Sequence, residues 1–279
     1  MTIRNLPRAD ISSRSGLRSG LSQKVLDRWS PDVRAALEDE DATISMLDVI
    51  GQDFWGEGVT AKQVTTQLRR IGQRDVTVVI NSPGGDYFEG LAIYNALREH
   101  PARVTVKVLG IAASAASVIA MAGDEMKIAR AGFLMIHNTW VLAAGDRHAF
   151  RDVANWLEPF DAAAVDIYAA RTGIAAAEIG QMLDRETWIG GAQAVEDGWA
   201  DTLLSSDELA SVSQSAEGKA LRAERKLDLL AAQSGMHRKE ARQLRADLKG
   251  GTPGAASTGM HDAAVIQGVE NLLNRLKSI

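Results

Sequence analysis

Residues 76–90 read VTVVINSPGGDYFEG, in which a mostly apolar run precedes two adjacent glycines and the beginning of a helical pattern. A continuous apolar run such as 76–80 is typical of a strand buried on both faces of a parallel sheet. A similar arrangement follows, because a strand predicted at 104–109 runs into Gly110 and a helix of small residues that begins near Ser114. Strands that alternate with helices in this way predict a layered α/β domain with parallel strands.

The same alternation extends in both directions from this stretch. It predicts further strands at 43–50, 126–129 and 133–136, and further helices at 60–71, 88–99 and 175–183. A long helical stretch at 148–171 carries a broad apolar stripe. Its length indicates an element that projects from the core, and its apolar face requires a partner.

The composition restricts the class of protein. The chain has 279 residues, of which 46% are hydrophobic and 24% are charged, so it is long and apolar enough to form a sizeable core. It contains no cysteine, which excludes a disulfide, a thiolate metal site and a cysteine nucleophile. The formal net charge of -5 argues against binding to nucleic acid or an anionic membrane by bulk charge. The most apolar run, 108–123, is shorter than the roughly 20 residues of a membrane helix. No apolar segment of a secretory signal follows the first arginines, so we expect a cytoplasmic protein.

The two ends of the chain differ from the middle in charge and pattern. Residues 1–42 begin basic and close with four acidic residues, and they predict a mobile arm that ends in a short helix at about 31–37. Beyond residue 204 the chain is first polar and then a charged helical pattern, before a glycine-rich break. The sequence therefore predicts three regions. They are an N-terminal arm with a short helix, together spanning 1–42, an α/β domain at 43–204, and a charged helical extension with a tail at 205–279. Helical patterns in the third region lie at 217–249 and 265–276.

Two adjacent glycines, Gly84 and Gly85, connect a buried strand to a helix. They allow backbone conformations closed to other residues and let N–H groups point at an anion. A strand-to-helix turn also needs glycine for steric reasons alone, so both explanations stay open. The segment lacks the Gly-Lys-Ser/Thr of a phosphate-binding loop.

Candidate catalytic side chains follow two of the predicted strands. Ser114 stands where a strand opens into a helix, a position that favours the developing charge of an acyl-transfer nucleophile, but Ser114 and Ser117 are also explained as small residues in a packed helix. His137 ends an apolar strand and is either a general base or a partly buried, hydrogen-bonded side chain. Asp184 and Glu186 lie where a helix gives way to a loop, and a carboxylate there could orient an imidazole.

Together these segments resemble the proteolytic subunit of the Clp protease, a serine peptidase family, over roughly residues 43–204. The matching segments are the glycine loop at 81–85, the Gly-x-Ala-Ala-Ser nucleophile motif at 110–114, the Met-Ile-His motif at 135–137 and the closing segment at 190–201. The resemblance implies a crotonase-like α/β fold, a layered β-sheet and helices with a projecting handle helix at 148–171. Two rings of subunits meet through the family's handle, so the resemblance also implies a homo-oligomeric ring.

Position by position, the resemblance implies Ser114 as nucleophile and His137 as general base. It implies the backbone N–H groups of Gly85 and Ala115 as the oxyanion hole. The substrate would be a peptide or protein, hydrolysed through an acyl-enzyme without a cofactor or a metal.

The third member of the triad is where this sequence departs from the family. The position of the family's aspartate holds Glu186, and Asp184 lies two residues earlier. Glutamate can orient a catalytic histidine as aspartate does. We therefore favour Glu186 over Asp184.

The two appendages, at 1–42 and 205–279, are similar to those of Clp-type proteases from tailed phages and prophages. The segments 50–60 and 121–124 also resemble the corresponding segments of these proteases. Such proteins are similar to head maturation proteases, which cut scaffold and capsid proteins in the bacterial cytoplasm. In this interpretation the two arms dock to assembling proteins and are not needed for catalysis. The alternatives are a housekeeping subunit that works with a Clp ATPase, a crotonase-type acyl-CoA enzyme and a non-catalytic capsid-assembly scaffold.

Overall fold

The computed structural model describes residues 18–19, 21–33, 42–53, 56–205, 215–234, 236, 239–240 and 243. Within these residues the strands form one main sheet and one two-stranded ribbon. The strands are β1 (Arg18–Ser19), β2 (Thr43–Met46), β3 (Val76–Ser82), β4 (Val104–Ala113), β5 (Glu125–Ile128), β6 (Phe133–Ile136), β7 (Val141–Leu142), β8 (Thr187–Gly190) and β9 (Thr202–Leu203). The helices are α1 (Gln23–Arg28), α2 (Ala61–Ile71), α3 (Tyr87–Arg98), α4 (Ala115–Ala120), α5 (Arg147–Thr172), α6 (Ala176–Asp184), α7 (Gly191–Glu196) and α8 (Ala216–Gln233).

The main sheet is parallel through its centre. Its strands run in the order β2-β3-β4-β5-β9, and each neighbouring pair in this order is parallel. Strand β6 pairs in parallel with β4, and β8 pairs antiparallel with β6. The predicted α/β fold class is confirmed, with helices alternating with the strands along the chain.

The long strand β4 has two different neighbours along its length. Its first half, Thr105 to Val108, pairs with β5, and its last three residues pair with β6, where Ala113 lies opposite Met135. Sequence analysis predicts a strand only to residue 109. The strand continues because Ile111, Ala112 and Ala113 are buried and β6 pairs with them. As a result, β4 and β6 end side by side.

Buried aliphatic side chains of β3 and β4 form the centre of the core, and α3 and α4 contribute to the same cluster. Val78, Ile80 and Val106 are fully buried, as are Leu91 on α3 and Ile119 on α4. Each such side chain stabilises the fold by about 1.5–3 kcal/mol through the apolar surface it removes from water. The core therefore fixes the carboxyl ends of the central strands.

Side-chain caps set the starts of α2, α3 and α5 in the α/β domain. Thr60 accepts a hydrogen bond from the N–H of Gln63 in a capping box at the start of α2. Asp86 accepts from the N–H groups of Phe88 and Glu89 at the start of α3, and Asp146 caps α5 in the same manner. Such caps satisfy N–H groups that have no partner within the helix.

The long helix α5 has a buried and an exposed part. Phe160, Ile167 and Tyr168 in its C-terminal half are buried in the core. Phe150 near its N-terminus is 50% exposed. The prediction of a long helix at 148–171 is therefore met by α5, whose buried residues all lie in its C-terminal half.

The structure has a short helix near the N-terminus, α1 at Gln23–Arg28, that the sequence patterns do not predict. It is stabilised by packing, because Val25, Leu26 and Trp29 are all fully buried. Of the helix predicted at about 31–37, residues 31–33 are not helical and residues 34–37 lie outside the described part. The arm begins a second apolar cluster that includes Ile111 and Met135.

The C-terminal helix α8 packs against α1. Ser215 caps α8 through the N–H of Gly218, and its hydroxyl donates to Asp32. Leu229 joins the same apolar cluster as Trp29. Of the helical patterns predicted beyond residue 204, the one at 217–249 overlaps α8, which begins one residue earlier and ends at Gln233. The pattern at 265–276 lies outside the described residues. Among the described helices, none is long and apolar enough to cross a membrane.

Candidate active site

Ser114 lies at the junction between β4 and α4. Its backbone has a positive φ of 53°, and its N–H donates to the carbonyl of Met135 on β6 at 2.8 Å. Although Ser114 precedes a helix, its side chain makes no capping hydrogen bond. The hydroxyl is therefore directed to another partner.

That partner is His137, one residue beyond the end of β6. The distance between Ser114 Oγ and His137 Nε2 is 2.7 Å. The parallel register of β4 with β6 explains this contact, because both strands end at the same edge of the sheet. A neutral imidazole can accept the serine proton through Nε2, which is the geometry of a nucleophile and its general base.

Two opposing influences act on the pKa of His137. Burial lowers this pKa from the usual 6.5, because the charged imidazolium is poorly solvated in the interior. The negative charge of Glu186 acts in the opposite direction and raises it. The net result is a lowered pKa, so the imidazole is neutral at physiological pH.

Glu186 follows α6 in a strained backbone conformation. It has a φ of 52°, and Ser114 and Glu186 are the two residues other than glycine with positive φ in the described parts of the chain. The Glu186 carboxylate accepts a hydrogen bond from Trp188 Nε1 at 3.4 Å and lies 3.7 Å from Lys24 Nζ. Backbone strain of this kind clusters at functional sites.

Asp184, the second candidate acid, has a different partner. Its carboxylate accepts a hydrogen bond at 2.8 Å from the side-chain amide of Asn138, the residue after His137. Neither Asp184 nor Glu186 forms a hydrogen bond with His137 within the described residues. Of the two acids, Glu186 is the one whose charge acts on the imidazole.

The glycine loop lies against the nucleophile. A Cβ added at Gly84 would lie 2.4 Å from the carbonyl oxygen of Ala113 and 2.9 Å from Ser114 Cβ. A Cβ at Gly85 would lie 2.1 Å from the carbonyl oxygen of Ile50. These contacts leave no room for a side chain, so the loop can approach Ser114 only as glycine.

Ser117 has a structural partner that the sequence did not reveal. Its hydroxyl donates to the carbonyl of Ser114 at 2.6 Å and lies 2.8 Å from the hydroxyl of Tyr168 on α5. Both side chains are buried. Ser117 therefore supports the backbone of Ser114, a role that small-residue packing alone did not predict.

Residues of both appendages reach this edge of the domain. Trp29 Nε1 donates to the carbonyl of Asn81 at 3.0 Å, and the Arg28 guanidinium lies 4.2 Å from the ring centroid of Trp188. Arg225 of α8 forms ion pairs with Asp48 and Asp53. In the phage-type interpretation of the sequence the arms are not needed for catalysis, whereas the structure places their side chains beside the segments that form the site. The sequence gives no signal for the Arg225 contact, because a helix rich in charged residues does not show which of its arginines is buried.

In the part of the chain that the structure describes, no cluster of three or more His, Asp or Glu side chains could hold a metal ion. The site itself consists of a serine hydroxyl hydrogen-bonded to an imidazole, with a nearby carboxylate and a glycine loop. Such an arrangement can carry out acyl transfer by a serine nucleophile.

Comparison with known proteins gives a consistent result. The family model "Clp protease" matches residues 45–207, more than half of the chain. The sequence is 32% identical over 136 residues to ATP-dependent Clp protease proteolytic subunit 3 of Rhodococcus jostii, covering 48% of this chain and 67% of that protein. It is 28% identical over 165 residues to proteolytic subunit 1 of Chlamydia trachomatis, covering 55% of this chain and 85% of that protein. It is 27% identical over 183 residues to the proteolytic subunit of Bacteroides fragilis, covering 60% of this chain and 88% of that protein. Helices α1 and α8 lie outside the matched residues.

Proposed function

Because the chain belongs to the Clp protease family and is a serine-type peptidase, we propose that Ser114, His137 and Glu186 form its catalytic triad. The observation that carries this assignment is the 2.7 Å contact between Ser114 Oγ and His137 Nε2. The position of this pair at the ends of two adjacent parallel strands supports it, as does the effect of the Glu186 charge on His137.

The geometry supports hydrolysis in two stages. Ser114 Oγ attacks the peptide carbonyl while its proton moves to His137 Nε2, and the Glu186 carboxylate stabilises the imidazolium. The N–H groups of Gly85 and Ala115 stabilise the oxyanion, and His137 gives its proton to the leaving amine as the C–N bond breaks. A water molecule then loses a proton to His137, attacks the acyl-enzyme and releases the acid and Ser114.

The pH dependence of the reaction follows from the lowered pKa of His137. A general base must be neutral, so we expect kcat/KM for a peptide to fall as the pH drops through a value below 6.5. Glu186→Gln removes the charge that raises this pKa, so the midpoint should move to still lower pH. NMR titration measures the pKa of the His137 imidazole in the native protein and in Glu186→Gln, and the His137→Ala variant assigns the imidazole signal. A midpoint above 6.5 in the native protein, or no shift in Glu186→Gln, would contradict the assignment.

We propose that the subunits assemble into a homo-oligomeric ring and meet through the exposed part of α5. The family match supports the ring, and Phe150, half exposed near the N-terminus of α5, is available for a contact with another copy. Light scattering of the purified protein should give a multiple of the subunit mass. A monomer at micromolar concentration would exclude the ring.

We further propose that the physiological role is that of a phage or prophage head maturation protease, acting on a capsid or scaffold protein in the host cytoplasm. Support comes from α1 and α8, which lie outside the family match yet pack on the domain. The printed names of the relatives favour a second role, that of a subunit in an ATP-dependent protease.

An unfolded substrate separates these two roles. We expect the protein alone to hydrolyse reduced, carboxymethylated casein without nucleotide, because a maturation protease acts without an ATPase. Co-production with the major capsid and scaffold proteins of the same genome should give shortened products, and Ser114→Ala should give none. Casein hydrolysis that requires a Clp ATPase and ATP, with intact capsid and scaffold proteins, would instead establish the second role.

A further inference from the structure

Arg225 is a charged side chain buried in the C-terminal helix α8. Its side chain is 1% exposed. The guanidinium donates to the Asp48 carboxylate twice, from Nε at 2.8 Å and from Nη2 at 2.5 Å. It also donates to Asp53, and Glu57 lies 3.7 Å away. All three acids belong to the segment between β2 and α2, so one arginine joins this segment to a distant part of the chain.

The burial of these groups makes the contact necessary for local order. The Asp53 side chain is as buried as that of Arg225, at 1% exposed. Removing one partner of a buried ion pair leaves the other charge without compensation, which is strongly destabilising. The planar fork of arginine can bind two carboxylates at fixed angles, which lysine cannot. Arg225 therefore fixes the relative positions of Asp48 and Asp53.

The segment that Arg225 fixes is hydrogen-bonded to the glycine loop. The Ile50 N–H donates to the Gly84 carbonyl at 2.8 Å, and the Asp86 N–H donates to the Ile50 carbonyl at 2.8 Å. These two bonds enclose Gly85 in a parallel bridge with Ile50. Ile50 lies between Asp48 and Asp53, so a shift of either acid moves the segment that is hydrogen-bonded on both sides of Gly85.

A second connection runs from Asp48 to the same loop. The Ser82 hydroxyl donates to the Asp48 carbonyl at 2.6 Å and accepts from the Gly84 N–H at 3.2 Å. The backbone of Asp48 is thus tied to the loop, and its carboxylate is tied to Arg225. Arg225, which lies outside the family match, is therefore connected to the glycine loop in two ways, through Ile50 and through Ser82.

We propose that Arg225 is a positioning residue for peptide hydrolysis, which acts by fixing the segment 48–53 so that Gly85 is held where its N–H stabilises the oxyanion. The inference rests on the proposed peptidase mechanism and assigns the C-terminal helix a part in it. Arg225 itself does not touch the reacting atoms. Its effect is on the transition state, because the oxyanion forms only as the reaction proceeds.

The test compares Arg225→Met with Lys226→Met in the full-length protein. Lys226 is adjacent on α8 and pairs with Asp27 at the surface, so its loss should leave kcat unchanged. For Arg225→Met we expect kcat to fall about 10²-fold with little change in KM, the cost of an oxyanion donor out of place. A peptide boronate, whose tetrahedral adduct with serine occupies the oxyanion hole, should bind about 10²-fold more weakly, while the product peptide binds as before.

Two further variants separate positioning from stability. Arg225→Met combined with Asp53→Asn removes the uncompensated carboxylate, so the melting temperature should recover while kcat and boronate affinity stay low. Asp48→Asn keeps the Asp53 pair and the fold, and it should give a smaller loss of the same kind. Recovery of kcat together with the melting temperature, or unchanged boronate affinity in Asp48→Asn and the double variant, would overturn the inference. If the native protein lacks peptidase activity that Ser114→Ala abolishes, the proposed mechanism fails instead.

Discussion

Ser114→Ala is expected to lower the rate of peptide hydrolysis by a factor on the order of 10⁶, the loss found when a serine peptidase loses its nucleophile. The physical reason is that the variant lacks the Oγ hydroxyl, which lies 2.7 Å from the His137 imidazole and gives it a proton in the proposed mechanism. The side chain makes no capping bond with α4, so its removal should have little effect on the fold. The melting temperature should therefore change far less than the rate.

A fluorophosphonate probe tests the same assignment independently of any peptide. Intact-mass analysis should show one adduct on the native protein and none on Ser114→Ala or His137→Ala. Ser45→Ala is the matched control, since it removes an exposed serine hydroxyl on β2 and leaves Oγ of Ser114 and its surroundings unchanged, so it should still form the adduct. Retention of full peptidase activity by Ser114→Ala would refute the nucleophile assignment, and an adduct independent of His137 would refute the general base.

The central elements of the fold could be predicted because their patterns are local. Strand β6 has the predicted bounds, and α5 differs from its prediction by one residue at each end. A buried parallel strand is a short apolar run, and a long helix is a repeated stripe, so neighbouring residues carry both signals. The approach of Ser114 to His137 was implied by the family resemblance, and the register of β4 with β6 accounts for it.

The contribution of the two appendages could not be predicted, because it depends on contacts between distant parts of the chain. Arg225 bonds to Asp48 across 177 positions, and Trp29 to Asn81 across 52. A helix rich in charged residues is typical of a solvated surface, and no local pattern shows that one arginine is buried. Helix α1 was not predicted for a related reason, since Val25 and Leu26 are buried by a cluster drawn from several elements.

Glu186→Ala is expected to lower kcat by a factor on the order of 10⁴, the loss seen when the acid of a Ser-His-acid triad is changed. In the proposed triad the carboxylate stabilises the imidazolium that forms when His137 takes the serine proton, and its charge already raises the pKa of His137. Asp184→Ala is the matched variant. Because Asp184 bonds to Asn138, its loss should cost much less. A larger rate loss in Asp184→Ala would transfer the role to Asp184.

The positive φ of Glu186 allows the chemical role of its carboxylate to be separated from its effect on the fold. A residue with a side chain pays about 1 kcal/mol or more for a left-handed backbone, whereas glycine adopts it readily. Glu186→Gly should therefore raise the free energy of unfolding, measured in urea, by about 1 kcal/mol while kcat falls as far as in Glu186→Ala. Glu186→Gln keeps the shape and should lose activity to a similar degree. A more stable but inactive Glu186→Gly protein would mean that the strained backbone is maintained for the carboxylate, since a purely structural glutamate would be improved by the change.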